Sequence, residues 1–127
     1  PPKRAEPFQT IRDEEHFLQY FNEHNKKLLV VDVHPTWSGP CEALYPVYRY
    51  FRDDGIVEFE KRMDIILVDQ VTMLLGLVKD RQPKEDKLVA TCRPKLVLCL
   101  EGKILHEVNG ANIPELDENV RKFVPYI

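Results

Sequence analysis

The apolar residues of this chain fall into short continuous runs that alternate with stretches of helical spacing. Continuous runs of this kind are typical of strands that are covered on both faces of a sheet. They predict strands over residues 28–33, 65–68, 95–100 and 103–108, and a short first strand over residues 8–11. The polar Asp32 interrupts the first of the long runs, although an unpaired charge is costly to bury.

Helical spacing of apolar residues predicts four helices, over residues 13–25, 41–52, 71–78 and 112–124. Pro46 falls inside the second helix and should kink it, because proline has no backbone N–H to donate. Strands and helices therefore follow one another in the order β-α-β-α-β-α-β-β-α.

The fold class follows from this order of elements. Strands that alternate with helices pair in parallel through crossovers, whereas two strands in direct succession pair as an antiparallel hairpin. Glu101 and Gly102, between the last two strands, give a two-residue hairpin signal. The sequence therefore predicts an α/β fold with a central mixed β-sheet flanked by helices.

The length of 127 residues suits one domain. Residues 1–7 contain three prolines and no periodic pattern, so we expect a linker or disordered N-terminus there and a single domain over residues 8–127. Because the chain starts with proline, we expect it to be a piece of a longer protein. The charged segment 79–87 is expected to be a solvated loop, with a partner contact as the alternative reading.

Composition narrows the classes of ligand. The formal net charge of −3 argues against a nucleic-acid partner, which needs a basic surface. No apolar run approaches the ~20 residues of a membrane span, so we expect no membrane partner. The three cysteines show no CxxC or CxxH pair and the four histidines are scattered, so no metal and no other cofactor are expected. The odd cysteine count favours a reducing, cytoplasmic setting.

One junction carries the candidate chemistry. Residues 31–41 read Val-Asp-Val-His-Pro-Thr-Trp-Ser-Gly-Pro-Cys, and they lead from a predicted buried strand into a predicted helix. This segment resembles the active-site region of thioredoxins, in which Trp-Cys-Gly-Pro-Cys opens the helix. Trp37, Gly39, Pro40 and Cys41 match that pattern position by position.

Further residues extend the resemblance over about residues 8–124. Asp32 stands six residues before Ser38, where thioredoxins have a buried acid, and Pro46 stands where they have a helix proline. Arg93 and Pro94 precede a predicted strand, like the loop that holds the cis-proline of the family. The resemblance implies a thioredoxin-like fold.

The chain departs from the thioredoxin pattern at the nucleophile, where it has Ser38. Attack on a disulfide requires a thiolate, and a serine hydroxyl does not replace it without a dedicated base. Cys41 remains in the resolving position, and Asp32 loses the role of assisting that thiol. We therefore expect a vestigial redox site made of Asp32, Ser38 and Cys41, with no catalytic residue. Asp32 is then either a relic or a buried acid held protonated or hydrogen-bonded.

The sequence leaves two classes of function open. The preferred one is a redox-inactive module that binds a protein partner through Trp37, Ser38, Gly39, Pro40, Arg93 and Pro94. The alternative is a disulfide oxidoreductase whose nucleophilic cysteine is replaced by Ser38, naturally or by engineering. A hydrolase triad of Asp32, His34 and Ser38 is a weaker reading, because no oxyanion loop is evident.

The resemblance also suggests a biological setting. Two segments are similar to thioredoxin domains of ciliary proteins. One is Cys92-Arg93-Pro94, which leads into a predicted strand, and the other is the turn 110–114, Gly-Ala-Asn-Ile-Pro. These ciliary proteins are the axonemal dynein light chains and the fusions of thioredoxin with nucleoside diphosphate kinase. The resemblance implies a domain of a larger ciliary or axonemal, dynein-associated protein.

Overall fold

The computed structural model describes residues 5–34, 41–69 and 94–126. In these ranges one sheet is formed in the order β1-β3-β2-β4-β5. Its strands are β1 (Gln9–Thr10), β2 (Leu28–His34), β3 (Met63–Asp69), β4 (Lys95–Leu100) and β5 (Lys103–Asn109). Strands β1, β2 and β3 are parallel, and β4 and β5 are each antiparallel to their neighbour. The predicted mixed α/β sheet is confirmed.

The described helices are α1 (Glu14–Leu18), α2 (Tyr45–Tyr50), α3 (Phe59–Arg62) and α4 (Ile113–Phe123). A 3-10 turn over Glu42–Leu44 precedes α2, and a π-helical turn over Phe51–Gly55 follows it. The predicted helix over 71–78 and the predicted loop over 79–87 lie outside the described residues. None of the helices in the described ranges has the length and apolarity that a membrane crossing requires.

The central strand β2 is buried along its whole length and separates two apolar clusters. Successive side chains of a strand point to opposite faces. Leu28 and Val30 accordingly belong to the larger cluster, whereas Leu29 and Val31 belong to the smaller one. By the same alternation, Asp32 lies on the face of the larger cluster. Asp32 therefore lies in the main core because it belongs to the buried strand β2.

The prediction of a helix over residues 13–25 is wrong in length, because α1 ends at Leu18. Its start is as expected, since the Asp13 carboxylate accepts a hydrogen bond from the backbone N–H of His16 at 2.8 Å. Beyond Leu18, side-chain amides take backbone carbonyls. The amide of Asn22 donates to the Leu18 carbonyl, and that of Asn25 donates to the Tyr20 carbonyl. Such bonds compete with helical ones.

The predicted helix over 41–52 also differs in detail. Pro46 lies in the first turn of α2, where its missing N–H has no intrahelical partner to lose. The segment is therefore a 3-10 turn up to Leu44 and an α-helix from Tyr45. The π-helical turn ends at Gly55. The short helix α3 was not predicted.

The C-terminal elements agree with the sequence. Glu101 and Gly102 link β4 and β5 with φ angles of 53° and 76°, as a hairpin turn with two left-handed residues requires. The Asn112 side chain caps α4 by accepting from the backbone N–H of Glu115 at 3.2 Å. Leu116 in α4 then packs in the larger cluster.

Candidate redox-like site

The predicted site residues are only partly within the described chain. Asp32, Cys41 and Pro94 are described. The others lie outside the described residues, and for them the assignment stays a prediction: Trp37, Ser38, Gly39, Pro40 and Arg93. The described part of the site is thus the end of β2, the start of the α2 segment and the entry to β4.

Asp32 lies in the core, with 0% of its surface exposed. Its neighbours in the sheet, Leu67 of β3 and Leu96 of β4, are both apolar. One carboxylate oxygen, Oδ2, accepts a buried hydrogen bond of 2.6 Å from the hydroxyl of Tyr48 in α2. Among the described residues, Oδ1 has no hydrogen-bond partner. The acid is therefore held by one donor in an apolar setting.

Burial raises the pKa of Asp32 to about 6, while the hydrogen bond from Tyr48 acts in the opposite direction. The Tyr48 hydroxyl is itself buried, and burial together with the charge of Asp32 raises its pKa. Tyr48 is therefore a neutral donor at all ordinary pH values. The geometry shows a buried acid with one hydrogen bond, and whether Asp32 is a relic of a redox site stays a prediction.

The apolar spacing of residues 41–52 predicts a helix but does not indicate that Tyr48 donates to Asp32. A signal was present, because a buried tyrosine hydroxyl requires a hydrogen-bond partner. A buried carboxylate requires a donor for the same reason. The pairing of Asp32 with Tyr48 joins residues 16 apart in the chain, and it follows from the packing of α2 on β2.

Cys41 is also buried, with 2% of its surface exposed. It precedes the 3-10 turn, and its carbonyl accepts a hydrogen bond from the backbone N–H of Leu44 at 3.1 Å. Cys41 belongs to the larger cluster together with Tyr48, the residue that donates to Asp32. The thiol in the resolving position is thus buried in the same core as the acid.

His34 does not complete a hydrolase triad with Asp32. A triad requires a hydrogen bond between the acid and Nδ1 of the histidine. Here the bonded oxygen of Asp32 faces Tyr48, and Nδ1 of His34 has no partner among the described residues. Burial lowers the pKa of His34, while the charge of Asp69 acts in the opposite direction. The acid–base pair of a hydrolase is not formed.

Pro94 is buried, and its carbonyl accepts a hydrogen bond of 2.8 Å from the backbone N–H of Gly110. This bond ties the entry of β4 to the segment after β5. The peptide bond before Pro94 involves Arg93, so the expected cis-proline lies outside the described residues. Pro94 thus contributes a fixed backbone, and its side chain offers little exposed surface.

Cys99 lies in the smaller cluster, on the other face of the sheet from Asp32. Burial and, to a smaller extent, the charge of Glu107 raise its pKa to about 12. Cys92 lies outside the described residues. In the described ranges, no three His, Cys, Asp or Glu side chains are placed to hold a metal ion.

The sequence is similar to curated thioredoxins and to a thioredoxin domain-containing protein. No family model matches the chain. The chain is 32% identical over 100 residues to human "Thioredoxin domain-containing protein 3", an overlap of 76% of the chain and 14% of that protein. It is 29% identical over 115 residues to tobacco "Thioredoxin H-type 2", covering 86% of each. The chain thus spans about one-seventh of the human relative and most of the tobacco one.

Solved structures give the same result for the fold. Spinach chloroplast thioredoxin F matches with a TM-score of 0.64 at 20% identity, covering 92% of this chain and 87% of that one. The thioredoxin of Trypanosoma brucei brucei matches with a TM-score of 0.63 at 19% identity, covering 96% of each chain. At such identities the likeness concerns the fold alone.

Proposed function

We propose that this chain, a thioredoxin-like protein with the thioredoxin fold, is a redox-inactive module that binds another protein. The observation that carries the proposal is Ser38, which stands where the Trp-Cys-Gly-Pro-Cys pattern has its first cysteine. Disulfide reduction begins when a thiolate attacks one sulfur and expels the other as a thiolate. The oxygen of Ser38 does not form that mixed disulfide.

The surroundings of Cys41 support the proposal. A lone thiol can start exchange only when a disulfide reaches it, and Cys41 is 2% exposed. The buried acid of the site, Asp32, accepts its described hydrogen bond from Tyr48. Asp32 and Cys41, the described residues of the vestigial redox site, are therefore part of the core. This supports a function in binding rather than in disulfide exchange.

Partner binding is proposed at the former substrate groove, with Trp37, Ser38, Gly39, Pro40, Arg93 and Pro94 as its residues. The physical basis is backbone next to a proline loop, which can pair with an extended peptide. The buried Pro94 would act through its fixed backbone. Tryptophan is a frequent anchor of protein contacts, which makes Trp37 the residue to test first.

Placement in a ciliary or axonemal protein is the finer part of the proposal. It is supported by two segments, 92–94 before the fourth strand and the turn 110–114, which are similar to thioredoxin domains of ciliary proteins. The similarity to a short part of a longer protein, the human relative, supports only a module within a larger protein. The whole protein would then bring this module to a dynein-associated assembly.

A capture experiment tests partner binding. The immobilised chain is incubated with extract of ciliated cells, and bound proteins are identified by mass spectrometry. We expect axonemal proteins to be enriched, and Trp37→Ala to reduce the enrichment at least about tenfold, as for a central interface anchor. Val57→Ala, at a position 74% exposed, serves as the matched control and should bind as the original chain. Failure to enrich any axonemal protein would contradict the ciliary placement.

The alternative, a disulfide oxidoreductase disabled at Ser38, is tested by Ser38→Cys in an insulin-reduction assay. For a dedicated binding module we expect the variant to stay close to the background rate. Turnover about a hundredfold above that background would favour an enzyme whose nucleophile was lost or removed. The codon at position 38 of the gene then distinguishes a natural serine from an engineered one.

A further inference from the structure

The buried carboxyl of Asp32 has a single hydrogen-bond donor in the described chain. A carboxylate inside an apolar core needs hydrogen bonds to be charged there, and a buried carboxyl without them stays protonated. In the described chain, Asp32 receives one such bond, the 2.6 Å contact from Tyr48, and its other oxygen has no partner. The hydroxyl of Tyr48 is thus the single described group that favours the charged form by direct contact.

Tyr48 is held in place from two directions. Its side chain is 0% exposed and belongs to the larger cluster. The ring of Phe8 meets it edge-on at a centroid distance of 5.9 Å, and the same Phe8 ring packs on Tyr45 at 4.5 Å. The segment before β1 therefore closes over this part of α2, and the Tyr48 hydroxyl is fixed toward β2.

We propose that Tyr48 is a positioning residue for Asp32, whose hydroxyl holds the carboxyl toward α2 and keeps the acid able to ionise inside the core. With the hydroxyl present, Asp32 is charged at neutral pH, because its pKa is about 6. Without it, the acid is protonated over much of the neutral range. Tyr48 therefore decides whether the end of β2 carries a negative charge beside Cys41.

The groups around Asp32 allow the effect of the Tyr48 hydroxyl to be tested separately from that of its neighbours. Tyr48 and Tyr45 lie on α2, Cys41 lies ahead of that helix, and His34 follows two residues later on β2. The strand neighbours on either side, Leu67 and Leu96, carry no charge. Of the two tyrosine hydroxyls, only that of Tyr48 is bonded to the carboxyl in the described chain.

This inference does not depend on the partner or on the origin of Ser38. It concerns the ionisation of Asp32 in the folded chain, which is the same whether the module binds a protein or descends from an enzyme. If partner binding were disproved, the assignment of Tyr48 as the positioning residue of Asp32 would still hold.

The test is the titration of the Asp32 carboxyl carbon by NMR in the original chain and in Tyr48→Phe. We expect the variant to raise the apparent pKa of Asp32 from about 6 to about 7 or higher, a tenfold or larger change in its ionisation constant. The midpoint of the pH-dependent loss of stability should move in the same direction. An unchanged titration in a folded Tyr48→Phe chain would overturn the proposal.

Tyr45→Phe is the matched control, since it removes a hydroxyl from the same helix and the same aromatic group. It should leave the Asp32 titration in place. If Tyr45→Phe raised the pKa of Asp32 as much as Tyr48→Phe does, general packing would be the cause and the assignment to Tyr48 would fail.

Discussion

Cys92→Ser should leave a folded chain that has almost no thiol reactive toward DTNB. The two remaining cysteines are buried, Cys41 at 2% and Cys99 at 1% exposed. The pKa of Cys99 is raised to about 12, so near pH 8 only about one thiol in 10⁴ is ionised, against about one in four for a free cysteine. We expect both thiols to react at least about a thousandfold more slowly in the folded chain than in denaturant.

The control for reagent access is Val57→Cys in the same background. Val57 is 74% exposed, so its thiol should react in the folded chain at the rate of a free cysteine. If one equivalent of the original thiols reacted as fast as the control, and peptide mapping placed the label on Cys41, the enclosed resolving position would be contradicted. Cys41 would then be open to exchange on its own.

Asp32→Asn should raise the free energy of unfolding by about 3 kcal/mol near pH 8 and change it little near pH 4. The pKa of Asp32 is about 6 in the folded chain, above the unfolded value of 3.8. Folding is therefore unaffected by this group below the unfolded pKa, where both states hold the proton. Stability is lost as the pH rises toward 6, because only the unfolded state has released it. The asparagine carbonyl can still accept from Tyr48.

Denaturant unfolding at several pH values checks this expectation. Asp54→Asn, at an exposed position after α2, is the control and should change stability by less than about 0.5 kcal/mol at every pH. Parallel stability curves for the original chain and Asp32→Asn would show that the buried acid costs nothing to ionise. The assigned environment of Asp32 would then be wrong.

The sequence predicted the parts of the fold that are determined locally. Strand β2 and the hairpin at Glu101 and Gly102 follow from apolar runs and turn residues that need no distant partner. The predicted helix over 13–25 was too long, because side chains within the same segment bind its backbone. The amides of Asn22 and Asn25 bind carbonyls that a longer helix would have used, and the apolar pattern does not register that competition.

The site was predicted in composition but not in contacts. Asp32 and Cys41 were recognised by their spacing, and the structure places both in the core. The donor to Asp32 was not recognised, because a bond between β2 and α2 depends on how the helix packs on the sheet. The binding roles of Trp37 and Arg93 remain predictions, since those residues lie outside the described chain.

The most direct test of the redox-inactive assignment is NADPH oxidation by the chain with thioredoxin reductase and insulin. A thioredoxin that keeps both cysteines serves as the positive control. With Ser38 in place, we predict a rate equal to that of the mixture without the chain, at every protein concentration. Sustained NADPH consumption that increases in proportion to the chain would contradict the account.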